Sequence, residues 1–238
     1  SGQISFPVGI AVSSDGKTLL LADIGAAGVD GNGGVYKATP DGTVTPITNG
    51  ELRRPTAVAF SLDEKSVYVT AVDTSDDQPG VFQLPIDGGS AQLLYKGLPL
   101  TNPSGMAVAN DGSLYVADST SLGAKTGNIF RIQSNRAIQI NKAPLSLGYP
   151  AGLAAAGNLS IDLLYLSQPA VGNDWLFRLN PDGTSTAVTI SGTIAPTEAT
   201  TLVRAPKADS WVLVDAVVPG NTAAEIENPS GRVIQLTP

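Results

Sequence analysis

The sequence contains no cysteine, which excludes disulfides and thiolate metal sites. It contains no histidine either, so the commonest general base and the commonest metal ligand are both missing. A Ser-His-Asp mechanism is therefore impossible. Charge is scarce as well: Asp, Glu, Lys and Arg make up 15% of the 238 residues, against about 25% in ordinary globular domains. Only 14 residues are basic, the net charge is −7, and the longest basic run is Arg53–Arg54. A nucleic-acid partner requires a stripe of cations to displace counterions, and an anionic membrane surface requires much the same, so neither is expected. Apolar runs such as Leu19-Leu20-Leu21-Ala22 are strand-sized, far short of a membrane span. The chain opens at Ser1 without Met, so a processed end is expected, with no signal peptide left to read.

What is plentiful is glycine and proline, 26 and 17 residues, a mixture that points to many short strands and tight turns. Comparison of the chain with itself gives the decisive signal. Pro7-Val8-Gly9-Ile10-Ala11-Val12 recurs at Pro55-Thr56-Ala57-Val58-Ala59-Phe60, at Pro103-Ser104-Gly105-Met106-Ala107-Val108 and at Pro150-Ala151-Gly152-Leu153-Ala154-Ala155. A worn fifth copy reads Pro196-Thr197-Glu198-Ala199-Thr200-Thr201, so the starts lie 48, 48, 47 and 46 residues apart. A fixed period in the forties with strand and turn signals inside it marks the blades of a β-propeller. Each copy predicts four strands. The first follows the Pro, with small residues suited to a crowded centre. A turn such as Asp15-Gly16 or Asp111-Gly112 comes next, read as a type I′ hairpin with positive φ at both central residues. The second strand is apolar, as in Leu114 to Ala117, and the third carries an aromatic residue at Tyr36, Phe82, Phe130 or Phe177. These four rings are expected to pack between blades.

The fifth copy ends at Leu236-Thr237-Pro238, where its second turn and fourth strand should begin. The first residues, through Gln3 to Phe6, look like that missing strand and are expected to pair with Val233 to Leu236, closing the ring and hiding its edges. The reading is one all-β domain over 1–238, a propeller of five four-stranded blades with an N-terminal strand closing the last. The alternative, a six-bladed ring, needs about 45 further residues that the chain does not have.

The pattern Pro-x-Gly-x-Ala-Val, then Asp-Gly-x-Leu-Tyr-Val-Ala-Asp, fullest over Pro103 to Asp118, resembles the NHL-repeat propellers. It also resembles the wider group around SMP-30, gluconolactonase and strictosidine synthase. The lactonase resemblance implies a divalent metal held by a Glu near the first inner strand, an Asn in a Pro-Asn-Gly segment and a later Asp. Here Pro7-Val8-Gly9 carries no Glu, Pro103-Ser104-Gly105 has Ser in place of the Asn, and only Asp residues such as Asp118 or Asp215 remain. Chemistry like that of virginiamycin lyase, which the resemblance ties to an essential His, is excluded.

The residue after each second strand gives a candidate site: Asp23, Ala71, Asp118, Gln168 and Asp215, with Asp73 two positions beyond Ala71. On one reading Asp23, Asp73, Asp118, Gln168 and Asp215 ring the channel mouth and bind a ligand, and Asp23, Asp118 and Asp215 hold Ca2+ or another divalent cation. On the other, each Asp holds a loop amide and is structural. The long loops at 24–33 and 216–230 share that face, where propellers place specificity. The functional expectation is a non-enzymatic module binding a small molecule or protein there, monomeric and exported. The alternative is a divergent metal-dependent hydrolase of the sugar-lactone type.

Overall fold

A computed structural model describes residues 4–25, 33–119, 126–155, 163–171, 174–191, 196, 199–205, 210–215 and 232–237. Its strands form five separate antiparallel sheets arranged in sequence order, as the repeat requires. Blade 1 is β1 (Pro7–Val12), β2 (Leu19–Asp23), β3 (Gly34–Ala38) and β4 (Val44–Pro46). Blade 2 is β5 (Leu52–Phe60), β6 (Ser66–Asp73), β7 (Pro79–Pro85) and β8 (Gln92–Lys96). Blade 3 is β9 (Pro103–Val108), β10 (Leu114–Ser119), β11 (Gly127–Gln133) and β12 (Arg136–Gln139). Blade 4 is β13 (Leu153–Ala155), β14 (Leu163–Val171), β15 (Asp174–Leu179) and β16 (Ser185–Ala187). Blade 5 is β17 (Ala199–Arg204), β18 (Trp211–Asp215) and β19 (Arg232–Leu236). The protein is an all-β five-bladed propeller.

Three local expectations are corrected. The fifth blade has three strands among the described residues, and Ile4 to Phe6 are not a strand beside β19. Phe6 runs straight into Pro7, and the Ser5 and Phe6 amides instead donate to Asp23 at 2.6 and 2.8 Å. Gln3 lies outside the described residues. The ring closes through its inner strands, β1 lying against β17. The second correction concerns register. Ala22 faces Gly9, Thr70 faces Ala57 and Ala117 faces Gly105, so Thr201, which faces Val214, is the fifth copy of that position. Ala199, not Pro196, thus begins the fifth inner strand. The third concerns turns. Gly16, Glu64 and Gly112 have positive φ, but the Asp before each does not. These are longer loops in which Asp15, Asp63 and Asp111 accept the amide two residues on, at 2.9, 3.1 and 2.9 Å. Ser134–Asn135, with φ of 49° and 57°, does have the two positive values of a type I′ hairpin.

The core is distributed along the seams. Leu20, Val35, Val69 and Phe82 fill the seam of blades 1 and 2, and Val81, Met106, Val116 and Phe130 that of blades 2 and 3. Ile129, Leu147, Leu153 and Tyr165 fill the third, and Leu166, Trp175, Leu202 and Ile234 the fourth. Phe82 and Phe130 are buried between blades. Phe177 is half-buried and stacks on Tyr165, ring centres 5.5 Å apart. Tyr36 is half-buried and belongs to none of these clusters.

Candidate functional site

Small residues close the axis of the ring. A Cβ on Gly9 would stand 2.7 Å from the Thr56 carbonyl oxygen, and one on Gly105 would stand 2.3 Å from that of Ala151. The void left between the inner strands is about 30 Å3. Thr56 Oγ1 donates to the Pro103 carbonyl at 2.6 Å, tying blade 2 to blade 3 at this level. A ligand therefore has its place at a mouth of the ring rather than within it.

On the loop-bearing face, the Asp near the end of the second strand is spent on architecture in blades 1 and 3. Asp23 is 1% exposed and accepts the amides of Ser5, Phe6 and Gly25. Asp118 is 2% exposed and accepts the Thr101 and Asn102 amides at 2.8 and 3.0 Å and the Thr101 hydroxyl at 2.9 Å. In both blades the clamped amides belong to the two residues preceding the inner-strand Pro. The carboxylate thus fastens the segment that enters the inner strand, the N-terminal residues in blade 1 and the connection from blade 2 in blade 3. Burial pushes the Asp118 carboxyl above the usual range, and the Thr101 and Asn102 hydrogen bonds oppose that rise. Asp215, fully buried, occupies the same register position opposite Ala199. In blade 4 the position after Leu166 belongs to Ser167, which is buried; the side chain of Gln168 lies outside the described residues.

These positions are not brought together as a cation site. Ca2+ takes six to eight oxygens at about 2.3–2.6 Å, and no three acidic residues among the described ones gather closely enough to hold a metal. The oxygens of Asp23 and Asp118 point to backbone amides instead. Asp73 is engaged by residues of its own blade. It accepts the Ser75 amide and hydroxyl and pairs with Lys96 at 2.8 Å, while Lys96 also reaches Asp76 at 2.7 Å. The Lys96 hydrogen bond, then those from Ser75, hold the Asp73 carboxyl down at about 2.

Blade 2 breaks the rule. Ala71 stands where Asp23 and Asp118 stand, and the chain entering the blade is held by ladder pairing of Leu52 with Asp73 and Arg53 with Val72. A bulge follows between Arg53 and Ala57, with Arg54 at φ 49°. That left-handed conformation is unusual for a non-glycine residue, and bulges commonly re-aim side chains beside functional sites. Next to it opens a cavity of about 370 Å3, within the range of small-molecule sites. Arg53, Arg54, Ala71, Asn102 and Tyr149 are among its walls, so blades 2, 3 and 4 all contribute. Arg53 Nη2 pairs with Asp77 at 2.6 Å across the rim. A second cavity, about 450 Å3, occupies the opposite mouth and is walled by inner-strand ends such as Val12, Phe60, Met106 and Leu202. The first cavity escaped the reading by motif because its signal is a missing carboxylate, Ala71, rather than a present one.

No known family pattern and no curated protein sequence matches the chain. Solved structures do resemble it. A chain of the nidogen/laminin complex superposes with a TM-score of 0.64 at 18% identity, over 88% of this chain and 72% of that one. A gluconolactonase from Xanthomonas campestris gives 0.60 at 17% identity, over 89% and 70%. The PQQ-bound aldose sugar dehydrogenase of Streptomyces coelicolor gives 0.51 at 13% identity, over 98% and 94%. The neighbours thus include a protein complex and enzymes, and what they share with this chain is the propeller fold.

Proposed function

We propose that this propeller is a non-enzymatic binding module and that its ligand occupies the loop-bearing face at the cavity beside Ala71. The observation that carries the reading is the division of labour on that face. The carboxylates of Asp23 and Asp118 are consumed by backbone clamps, and the cavity opens beside blade 2, where Ala71 stands in place of the carboxylate. A volume of about 370 Å3 favours a small molecule over a folded partner.

Thermal-shift and calorimetric titrations with a panel of small metabolites test this, run beside hydrolysis of δ-gluconolactone with Ca2+, Mn2+ and Zn2+. At least one compound is expected to raise the melting temperature with concentration by mass action. Tyr149→Ala, in the cavity wall, is expected to abolish that rise, with lactone hydrolysis remaining at the buffer rate. Metal-dependent hydrolysis that disappears in Asp118→Asn would overturn the proposal in favour of a lactonase-type hydrolase.

A further inference from the structure

The walls of the cavity beside Ala71 carry more hydrogen-bond donors than acceptors. Arg53 and Arg54 are the one place in the sequence where two basic residues adjoin, in a chain of net charge −7. Both residues line this cavity. Arg53 spends one nitrogen on Asp77, and its Nε is buried with no hydrogen-bond partner. The same is true of Asn102 Nδ2 in the opposite wall. Among the described residues Arg54 makes no ion pair, and it is held at a left-handed φ by the bulge. The hydroxyls nearby are engaged elsewhere: Thr56 donates to Pro103 and Thr101 to Asp118. A buried donor with no acceptor is destabilising, so two around one cavity call for an explanation. Ala71, Val72, Pro79 and Pro103 supply an apolar lining between these polar groups.

From this distribution we infer that the cavity binds the oxyanion of a small organic molecule, a carboxylate or phosphate, between Arg53, Arg54 and Asn102. The inference rests on the binding reading above and names its ligand class. A guanidinium presents a planar fork of donors that matches carboxylate and phosphate oxygens in pairs. The oxyanion supplies the acceptors that Arg53 Nε and Asn102 Nδ2 lack. Neither nitrogen is open to water in the unbound molecule, so binding includes a small side-chain rotation on each wall. The apolar lining takes the body of the ligand. Asp77 at the rim partly neutralises Arg53 and favours a single negative charge over a dense polyanion.

Titration calorimetry with benzoate, succinate, phenyl phosphate, inorganic phosphate and neutral glucose tests the inference. Benzoate or phenyl phosphate is expected to bind and glucose to fail, and the two organic anions distinguish carboxylate from phosphate as the recognised group. Arg54→Gln, at an exposed backbone position, is expected to weaken binding about tenfold or more, the loss of a charge-assisted hydrogen bond. Arg54→Lys is expected to recover part of it, keeping the charge without the fork. Ala71→Asp, which places a carboxylate in the cavity wall, is expected to abolish binding. Failure of every anion while a neutral compound binds and is lost in Tyr149→Ala would overturn the anion assignment and leave the binding reading standing. Anion binding unaffected by Arg54→Gln and Ala71→Asp would place the anion elsewhere and overturn it too.

Discussion

Blades 2 and 3 are neighbouring copies of one repeat, 48 residues apart, and they solve the same problem differently. Each must fasten the chain that arrives from the preceding blade. Blade 3 does so with Asp118, whose buried carboxylate gathers two amides and a hydroxyl. Blade 2 has Ala71 there, extends its ladder to Leu52 instead, and moves its acidic residues outward to Asp73, Asp76 and Asp77, where Lys96 and Arg53 meet them. The difference teaches that a repeat can lose a structural carboxylate if backbone pairing takes over its task. The space so released is where a site can arise.

The strongest way to test the comparison is at the seam the two blades share. Phe130 is 3% exposed and packs there with Val81, Met106 and Val116. Phe130→Ala is expected to cost about 3–5 kcal/mol in denaturant unfolding, the usual range for a buried Phe. A loss below about 1 kcal/mol would show that the blades do not share a core. Next in size is the clamp. Asp118→Ala strands the Thr101 and Asn102 amides at about 1–3 kcal/mol each, partly offset because a buried charge is removed. A net loss of about 2–4 kcal/mol is expected, whereas Ala71→Ser in blade 2 should leave stability nearly unchanged. Equal effects in the two blades would erase the distinction.

The smallest effects are in pH dependence, and they have opposite sign. The Asp73 carboxyl, held at about 2, lies below its ordinary value near ~4. It contributes stability above pH ~4 that is lost as the pH falls toward 2. The Asp118 carboxyl lies above the ordinary value because it is buried. Its contribution is full below pH ~4 and declines as the pH rises through its folded value. Melting temperatures of Asp73→Asn and Asp118→Asn between pH 2 and 7 check this. The first variant should flatten the acid limb, and the second should remove a decline above pH ~4. Identical profiles for both variants would contradict the contrast.

The five-blade architecture was legible because the copies repeat the same instructions: a Pro and an apolar second strand in each, an Asp-led turn in three and a third-strand aromatic in four. Burial on strands alternates with period two, and no distant partner is required to read it. Phe82 and Phe130 were placed correctly by that logic. The fifth copy was misaligned by three residues, since Pro196 mimics the repeat while Ala199 occupies the paired position. Pairing register depends on a partner strand, and a degenerate motif does not report it. The role of Ile4 to Phe6 was missed for a related reason. The Ser5 and Phe6 amides are claimed by Asp23, 18 and 17 positions away, a contact that exists only once β1 and β2 have paired.

For the candidate site the division is sharper. The sequence alone determined where acidic residues recur, that Ala71 interrupts them and that Arg53–Arg54 is an isolated basic pair. Only tertiary structure decided what those facts mean. Whether a carboxylate binds a cation or a loop depends on which donors reach it first, and backbone amides two residues from the next strand reach Asp118 within hydrogen-bonding distance. Whether two arginines are a solvated run or the wall of a site depends on a bulge and on Asn102 and Tyr149 arriving from other blades. Those residues stand 48 or more positions from Arg54, so their convergence is a property of the closed ring and of no local segment.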